Sequence, residues 1–310
     1  MSAATHALPA IARRALRAWG RTGRAPGYHC RVVEHLGRRL GGVGPLAATL
    51  PNGCVVRCDL ADEVQRWIWF YGAYEPVESY LFTRLLRPGM TVVDAGANAG
   101  QYSLLASTAV GPSGRVLAFE PNPSAFRRLR SAVADNGLTN VETRPEALWG
   151  EPSTLRFGYP EGVAPGSNSG SYRAGGAGGE PASAVRLDDV LSQSGDERVD
   201  LIKLDVEGAE PEALAGAWRT LALHRPTLLV ELNHEALGGP RAAAGLCDLL
   251  RGHGYACWAI RGDARSSGPE PNPASIARGN VFFHHAPLPA EVTAGWTLKS
   301  ALRWARGGRP

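Results

Sequence analysis

Thr91-Val92-Val93-Asp94-Ala95-Gly96-Ala97-Asn98-Ala99-Gly100 is the stretch from which the fold can be read. A short apolar run ends in an acid and passes straight into a turn of small residues that opens a helix. A second acid, Glu120, closes the next apolar run, Val116-Leu117-Ala118-Phe119-Glu120. An α/β sheet cradles a nucleoside in this way. Small residues let the ligand approach the backbone, and a carboxylate accepts hydrogen bonds from ribose hydroxyls.

Outward from that stretch the pattern alternates. Strand Thr91–Asp94 leads to a helix over Tyr102–Val110, and strand Arg115–Glu120 to a helix over Pro123–Asn136. Strand Val141–Pro145 follows. After an interruption, strand Leu201–Asp205 leads to a helix over Pro211–Leu223, and strand Thr227–Glu231 to a helix over Arg241–His253. Strands Tyr255–Ile260 and Asn280–His284 close the series as an antiparallel edge. Apolar strands alternating with helices predict a mostly parallel sheet covered on both faces. Upstream, residues 62–87 read as one helix that Pro88-Gly89 stops, and Asn52-Gly53 marks a hairpin turn. The interruption, residues 150–184, holds a strand Thr154–Tyr159 and then a run with eight glycines between Gly158 and Gly179. It reads as a mobile lid or as plain disorder.

The turn itself selects the ligand. A dinucleotide site wants a middle glycine where this chain has Asn98. Asn tolerates the left-handed backbone, but its side chain obstructs the approach of a pyrophosphate. Asp94 would repel pyrophosphate and attract a cation. S-adenosylmethionine carries a sulfonium and an ammonium and no phosphate, so it fits better. Glu120 is then the ribose anchor, although it could simply cap the helix after Pro121. In Glu146-Ala147-Leu148-Trp149, the backbone and Trp149 could flank an adenine.

Further polar residues collect at strand tips. Asp205 closes Leu201-Ile202-Lys203-Leu204-Asp205 and is the first candidate to assist proton removal. Lys203, inside an apolar strand, needs an acidic partner. Glu207 and Glu210 enter the next helix, where its dipole alone would favour acids. His234, after Glu231-Leu232-Asn233, is a second candidate base. Asp205, Glu207, Glu231, Asn233 and His234 could hold a divalent cation, but nothing in their spacing demands one, and none is expected. The aromatic group Trp67, Trp69, Phe70, Tyr71 and Tyr74 reads as helix core or as a pocket lining.

The totals bound the rest. With 310 residues, 44% hydrophobic and 20% charged, the chain has the composition of an ordinary globular protein. Its net charge of +4 is uneven: residues 1–60 hold nine arginines against Glu34 and Asp59, and Lys299, Arg303, Arg306 and Arg309 crowd the other end. These two ends are expected to be a basic N-terminal extension (1–60) and a basic tail (289–310) around a domain over 61–288. Five scattered cysteines form no disulfide framework and no CxxC pair, which suits a reducing, cytoplasmic setting. No apolar run spans a bilayer, and the basic amphipathic Leu8–Trp19 leaves a weak peripheral membrane contact open. No nucleic-acid partner is expected.

Together these residues resemble the FkbM-type family of S-adenosylmethionine-dependent methyltransferases. The likeness rests on Val93-Asp94-Ala95-Gly96-Ala97-Asn98-Ala99-Gly100-Gln101-Tyr102 and Ala118-Phe119-Glu120-Pro121-Asn122-Pro123. It extends to Leu187-Asp188-Asp189, to Ile202-Lys203-Leu204-Asp205-Val206-Glu207-Gly208-Ala209-Glu210 and to Glu231, with Tyr74-Glu75-Pro76 ahead of the first strand. It implies a class I methyltransferase fold, Rossmann-like, with a doubly wound, mostly parallel seven-stranded sheet. It implies a cofactor site at Glu75, Asp94, Gly96, Asn98, Gly100, Glu120, Asn122 and Ala147. It also implies O-methylation of a hydroxyl on a natural product, sugar or glycan. From the residues alone, a nicotinamide-dependent dehydrogenase and a non-catalytic S-adenosylmethionine-binding scaffold remain open alternatives.

Overall fold

The computed structural model describes residues 44–164, 167, 169–195, 198–260, 268–269, 273–293, 298–305 and 307, with 15 and 17–19. Most of the Leu8–Trp19 segment and most of residues 1–60 lie outside the described residues. A hairpin, β1 (Leu46–Thr49) and β2 (Val55–Cys58), comes first, closed by the turn at Asn52-Gly53. Helices α1 (Glu63–Tyr71) and α2 (Pro76–Leu85) follow. The central alternation is β3 (Thr91–Ala95), α3 (Gln101–Val110), β4 (Arg115–Phe119), α4 (Pro123–Asp135) and β5 (Val141–Arg144). Strands β6 (Ala147–Leu148), β7 (Ser153–Tyr159), β8 (Arg173–Ala174) and β9 (Ala177–Val185) then leave the main sheet. The chain returns through α5 (Leu187–Gln193), β10 (Leu201–Leu204), α6 (Glu210–Ala215), α7 (Trp218–His224) and β11 (Thr227–Asn233). It ends with α8 (His234–Leu237), α9 (Pro240–Gly252), β12 (Ala256–Ala259), β13 (Gly268–Pro269), β14 (Arg278–His284), α10 (Ala290–Thr293) and α11 (Leu298–Ala305).

Seven strands stand in the order β12-β14-β11-β10-β3-β4-β5, and the two-residue β13 extends the β12 edge. From β11 to β5 all neighbours are parallel, and β14 runs antiparallel between β11 and β12. Alternation along each strand feeds two cores. Val93, Leu117, Ile202 and Leu228 pack under α5, α6, α7 and α9. Val92, Val116, Leu201 and Leu229 pack under α2, α3 and α11. All five residues of β3 are buried, as a strand covered on both faces requires. The doubly wound, mostly parallel sheet is therefore present as the alternation foretold.

Three segments differ from the sequence reading. The helix expected over 62–87 is two helices, because Gly72 ends α1 in the left-handed region and Glu75 takes φ 46° ahead of Pro76. The helix expected over 211–223 breaks at Gly216, where a Cβ would stand 2.0 Å from the Trp149 carbonyl oxygen. The glycine-rich interruption forms a second sheet in the order β6-β9-β7-β8. Its strand Ala-Gly-Gly-Glu-Pro-Ala-Ser-Ala-Val is poor in strand formers and depends on antiparallel pairing with β7.

The hairpin within the basic segment is built into the body. Ala48, Leu50 and Val56 share a core with Ile68, Phe70, Leu104 and Ala132. The Asn136 side chain bonds both the N–H and the carbonyl of Val55, each at 2.7 Å. At the other end, Trp304 of α11 meets Tyr80 of α2 edge-on at 5.7 Å.

Candidate active site

The parallel strands β3, β4, β10 and β11 end on the same side of the sheet, and a pocket opens over their tips. Gly96, Ala97 and Asn98 form its floor, and Glu120, Asp205 and Glu231 border it. Gly96 has φ 76°, and a Cβ there would come 1.9 Å from the Asp205 carbonyl oxygen. Only glycine lets the β3 turn pass under the β10 tip. Asn98 takes the left-handed conformation at φ 50°. Its backbone N–H donates to Glu120 Oε2 at 2.7 Å, and the Asn122 N–H donates to Oε1 at 2.8 Å. Burial pushes the Glu120 carboxyl up to about 7, although these two N–H groups oppose the shift.

The opposite end of the pocket holds most of the charge. Lys203, 2% exposed, donates to Asp205 Oδ2 at 3.1 Å, lies 3.9 Å from Asp94 Oδ1 and stands 4.6 Å from the Tyr102 ring centroid. Burial disfavours its charge, but Asp205, Asp94 and Glu75 override that and hold it protonated. Glu75 accepts from Tyr102 Oη at 3.2 Å and from Asn280 Nδ2 at 3.0 Å. Burial first, then Glu78 and Asp205, raise Glu75 to about 8. Burial, Asp205 and Glu231 raise Glu207 to about 9. Burial, Asp205 and Glu75 raise Glu231 to about 8, against the pull of Arg278 at 3.3 Å. Asp205, Glu207 and Glu231 each offer an oxygen within 4.8 Å of the others. Raised in this way, Glu207 and Glu231 favour their protonated forms near pH 7. Among the described non-glycine residues, four have positive φ, and three of them, Glu75, Asn98 and Glu207, line this one pocket. Such strain concentrates at functional sites.

The structure brings together Glu75, Gly96, Asn98, Glu120, Ala147 and Asp205. Asp94 departs from its expected place. It is fully buried, accepts from Ser103 Oγ at 2.6 Å and faces Lys203 beneath the pocket. It therefore faces Lys203 and is not among the residues that line the pocket. Gly100 packs against Leu129 and Leu104 at the start of α3, and Asn122 caps α4 through its side chain. His234 stands apart, outside the pocket lining, with Nε2 3.0 Å from the Ala274 carbonyl oxygen. Glu210 accepts from the N–H groups of Val206 and Gly208, a local structural role. Of the aromatic group, Tyr74 lines the pocket, while Trp69, Phe70 and Tyr71 are core. Sequence reasoning passed over Phe157, Tyr172 and Arg278, which also line it. No local signal marks them, because they arrive from the glycine-rich insert and from the final strand, β14.

S-adenosylmethionine fits these residues. The Glu146 side chain lines the pocket, and its buried Oε2 has no hydrogen-bond partner among the described residues. An adenine amino group is a donor of the kind that oxygen would accept from. No helix among the described residues is long and apolar enough to cross a membrane.

The doubly wound sheet has the class I methyltransferase architecture, and the family match makes the chain an S-adenosylmethionine-dependent methyltransferase. The family model described as "Methyltransferase FkbM domain" matches residues 94–257, and the chain belongs to the FkbM methyltransferase family. The dehydrogenase reading falls with that assignment. A curated relative, 31-O-demethyl-FK506 methyltransferase FkbM of Streptomyces tacrolimicus, is 31% identical over 240 residues, covering 66% of this chain and 87% of that protein. AMB antimetabolite synthetase AmbE of Pseudomonas aeruginosa is 31% identical over 269 residues; the match covers 71% of this chain but only 12% of that protein. A solved methyltransferase FkbM from Methylobacillus flagellatus KT aligns with a TM-score of 0.41 at 17% identity, covering 72% of this chain and 55% of the other.

Proposed function

We propose that the chain methylates a hydroxyl oxygen on a small molecule such as a natural product or a sugar. The observation that carries this reading is Asp205. It stands at the β10 tip in the pocket, and Lys203 fixes one of its oxygens at 3.1 Å. The relative in S. tacrolimicus is named for methylation at an oxygen, which supports the same reaction class here.

In this reading Glu120 holds the ribose hydroxyls, Ala147 and Glu146 border the adenine, and Glu75 borders the methionine end. Bound there, S-adenosylmethionine supplies a methyl group already activated on a sulfonium. Asp205 takes the proton that the acceptor hydroxyl must lose, while Lys203, itself facing Asp94 below, holds its carboxylate in place. Glu207 and Glu231, mostly neutral, donate hydrogen bonds to the acceptor and avoid repelling it. Placing the two reactants against each other supplies much of the acceleration, on the order of 7–11 kcal/mol in well-oriented systems.

The test is product analysis with S-adenosylmethionine carrying a labelled methyl. The purified chain is given matched hydroxyl and amine acceptors, including polyketide alcohols, sugars and amino sugars. Label on oxygen is the expected product. Label found on nitrogen alone would replace the reading with N-methylation, and cofactor binding with no product on any acceptor would favour a scaffold.

A further inference from the structure

The glycine-rich insert folds as a sheet, and its position relative to Glu120 gives it a task. Besides its acids, the pocket is lined by Pro121, Leu148, Trp149, Phe157 and Tyr172. Phe157 and Tyr172 come from the insert and stack at 6.0 Å with an interplanar angle of 22°. Tyr159 packs edge-on against Tyr172 at 5.2 Å.

The insert is also fastened to the ribose anchor. Asn122 donates from its backbone N–H to Glu120 at 2.8 Å and from Nδ2 to Tyr159 Oη at 3.0 Å. One residue thus touches both the carboxylate and the insert. On the far side the Glu63 N–H of α1 donates to the Ser167 carbonyl at 3.0 Å. Burial, then Glu180, Tyr159 and Glu120, push the Tyr172 phenol up to about 12, so its hydroxyl end lies within electrostatic reach of Glu120. A flat neutral base prefers such an aromatic surface, whereas the charged methionine portion suits the acid end.

We infer that the insert formed by β7, β8 and β9 is the adenine-side wall of the cofactor pocket, with the Tyr172 ring lying on the base. The segment that reads as a lid or as disorder is a fixed part of the nucleoside site, and Asn122 ties it to the ribose anchor. This rests on the assignment of Glu120 to the ribose.

Calorimetry of the full chain with S-adenosylhomocysteine and with adenosine tests it without any acceptor. Tyr172→Ala should weaken both ligands by about tenfold, the range of one base–aromatic stack, and by similar factors. Tyr172→Phe, which keeps the ring, should stay within about twofold of the wild type. Should Tyr172→Ala unfold, Tyr172→Leu keeps the apolar bulk and still removes the flat face. It should weaken both ligands by about fivefold with an unchanged unfolding midpoint. Unchanged binding of both ligands to a folded Tyr172→Ala or Tyr172→Leu variant overturns the inference. Glu120→Ala run alongside separates the two assignments. If it binds weakly while the Tyr172 variants bind normally, only the wall is wrong. If all bind normally, the ribose assignment fails as well.

Discussion

At the Glu120 end of the pocket, two backbone N–H groups hold the carboxylate, from Asn98 and Asn122. At the Asp205 end, side chains hold side chains: Lys203 on Asp205, Tyr102 and Asn280 on Glu75, Arg278 on Glu231. Backbone donors neither titrate nor change rotamer, so the first end offers one fixed surface. The second end can redistribute protons among crowded carboxyls and reorient. The contrast matches a division between an invariant ligand, the cofactor, and a reaction in which a proton must move.

The sharpest way to break that division is Asp205→Asn. Turnover should fall by about a hundredfold or more, the usual contribution of a positioned base, while S-adenosylhomocysteine affinity by calorimetry stays within about twofold. Loss of both together would mean that the two ends are not separate in function. A smaller effect concerns pH. Glu75, Glu207 and Glu231 rise from 4.5 to about 8, 9 and 8, so the folded chain keeps protons that the unfolded chain releases. Raised carboxyl values give stability that is fully present below 4.5 and is lost progressively as pH climbs from 4.5 to the folded values of about 8 and 9. Unfolding midpoints should therefore decline across that window, and Glu207→Gln, permanently neutral, should flatten the decline. Parallel curves for variant and wild type would show that Glu207 titrates normally. The smallest expected effect is that of chelation. Neutral carboxyls make poor ligands for a hard cation, so EDTA treatment followed by gel filtration should leave turnover unchanged. A loss restored by magnesium would give the three acids a different occupant.

The same contrast governs what the sequence made legible. The Glu120 end is written in local chemistry: a strand, a turn of small residues and an acid at the next tip, all within residues 91–122. Asn98, which tolerates the left-handed backbone, does adopt it, and Glu120 at the next strand tip meets the turn. The Asp205 end was legible only in part. The need of Lys203 for an acid was plain, and Asp205 meets it. However, the register that sets Asp94 opposite Lys203 turns Asp94 inward, which no local pattern announces. Arg278 comes from β14, the last strand of the sheet in sequence, and Tyr172 from a segment whose glycines mask a strand. The helix break at Gly72 is a local left-handed cap, whereas that at Gly216 answers to distant packing against the carbonyl of Trp149.

Gly96 has one more consequence, for anyone who would redesign this enzyme. Because the Asp205 carbonyl oxygen occupies the space that a side chain at position 96 would need, cradle and reaction loop interlock like a key in its ward. A library aimed at new acceptors can vary the side chains beyond Asp205, but rerouting that backbone would unseat the nucleoside turn at the same stroke.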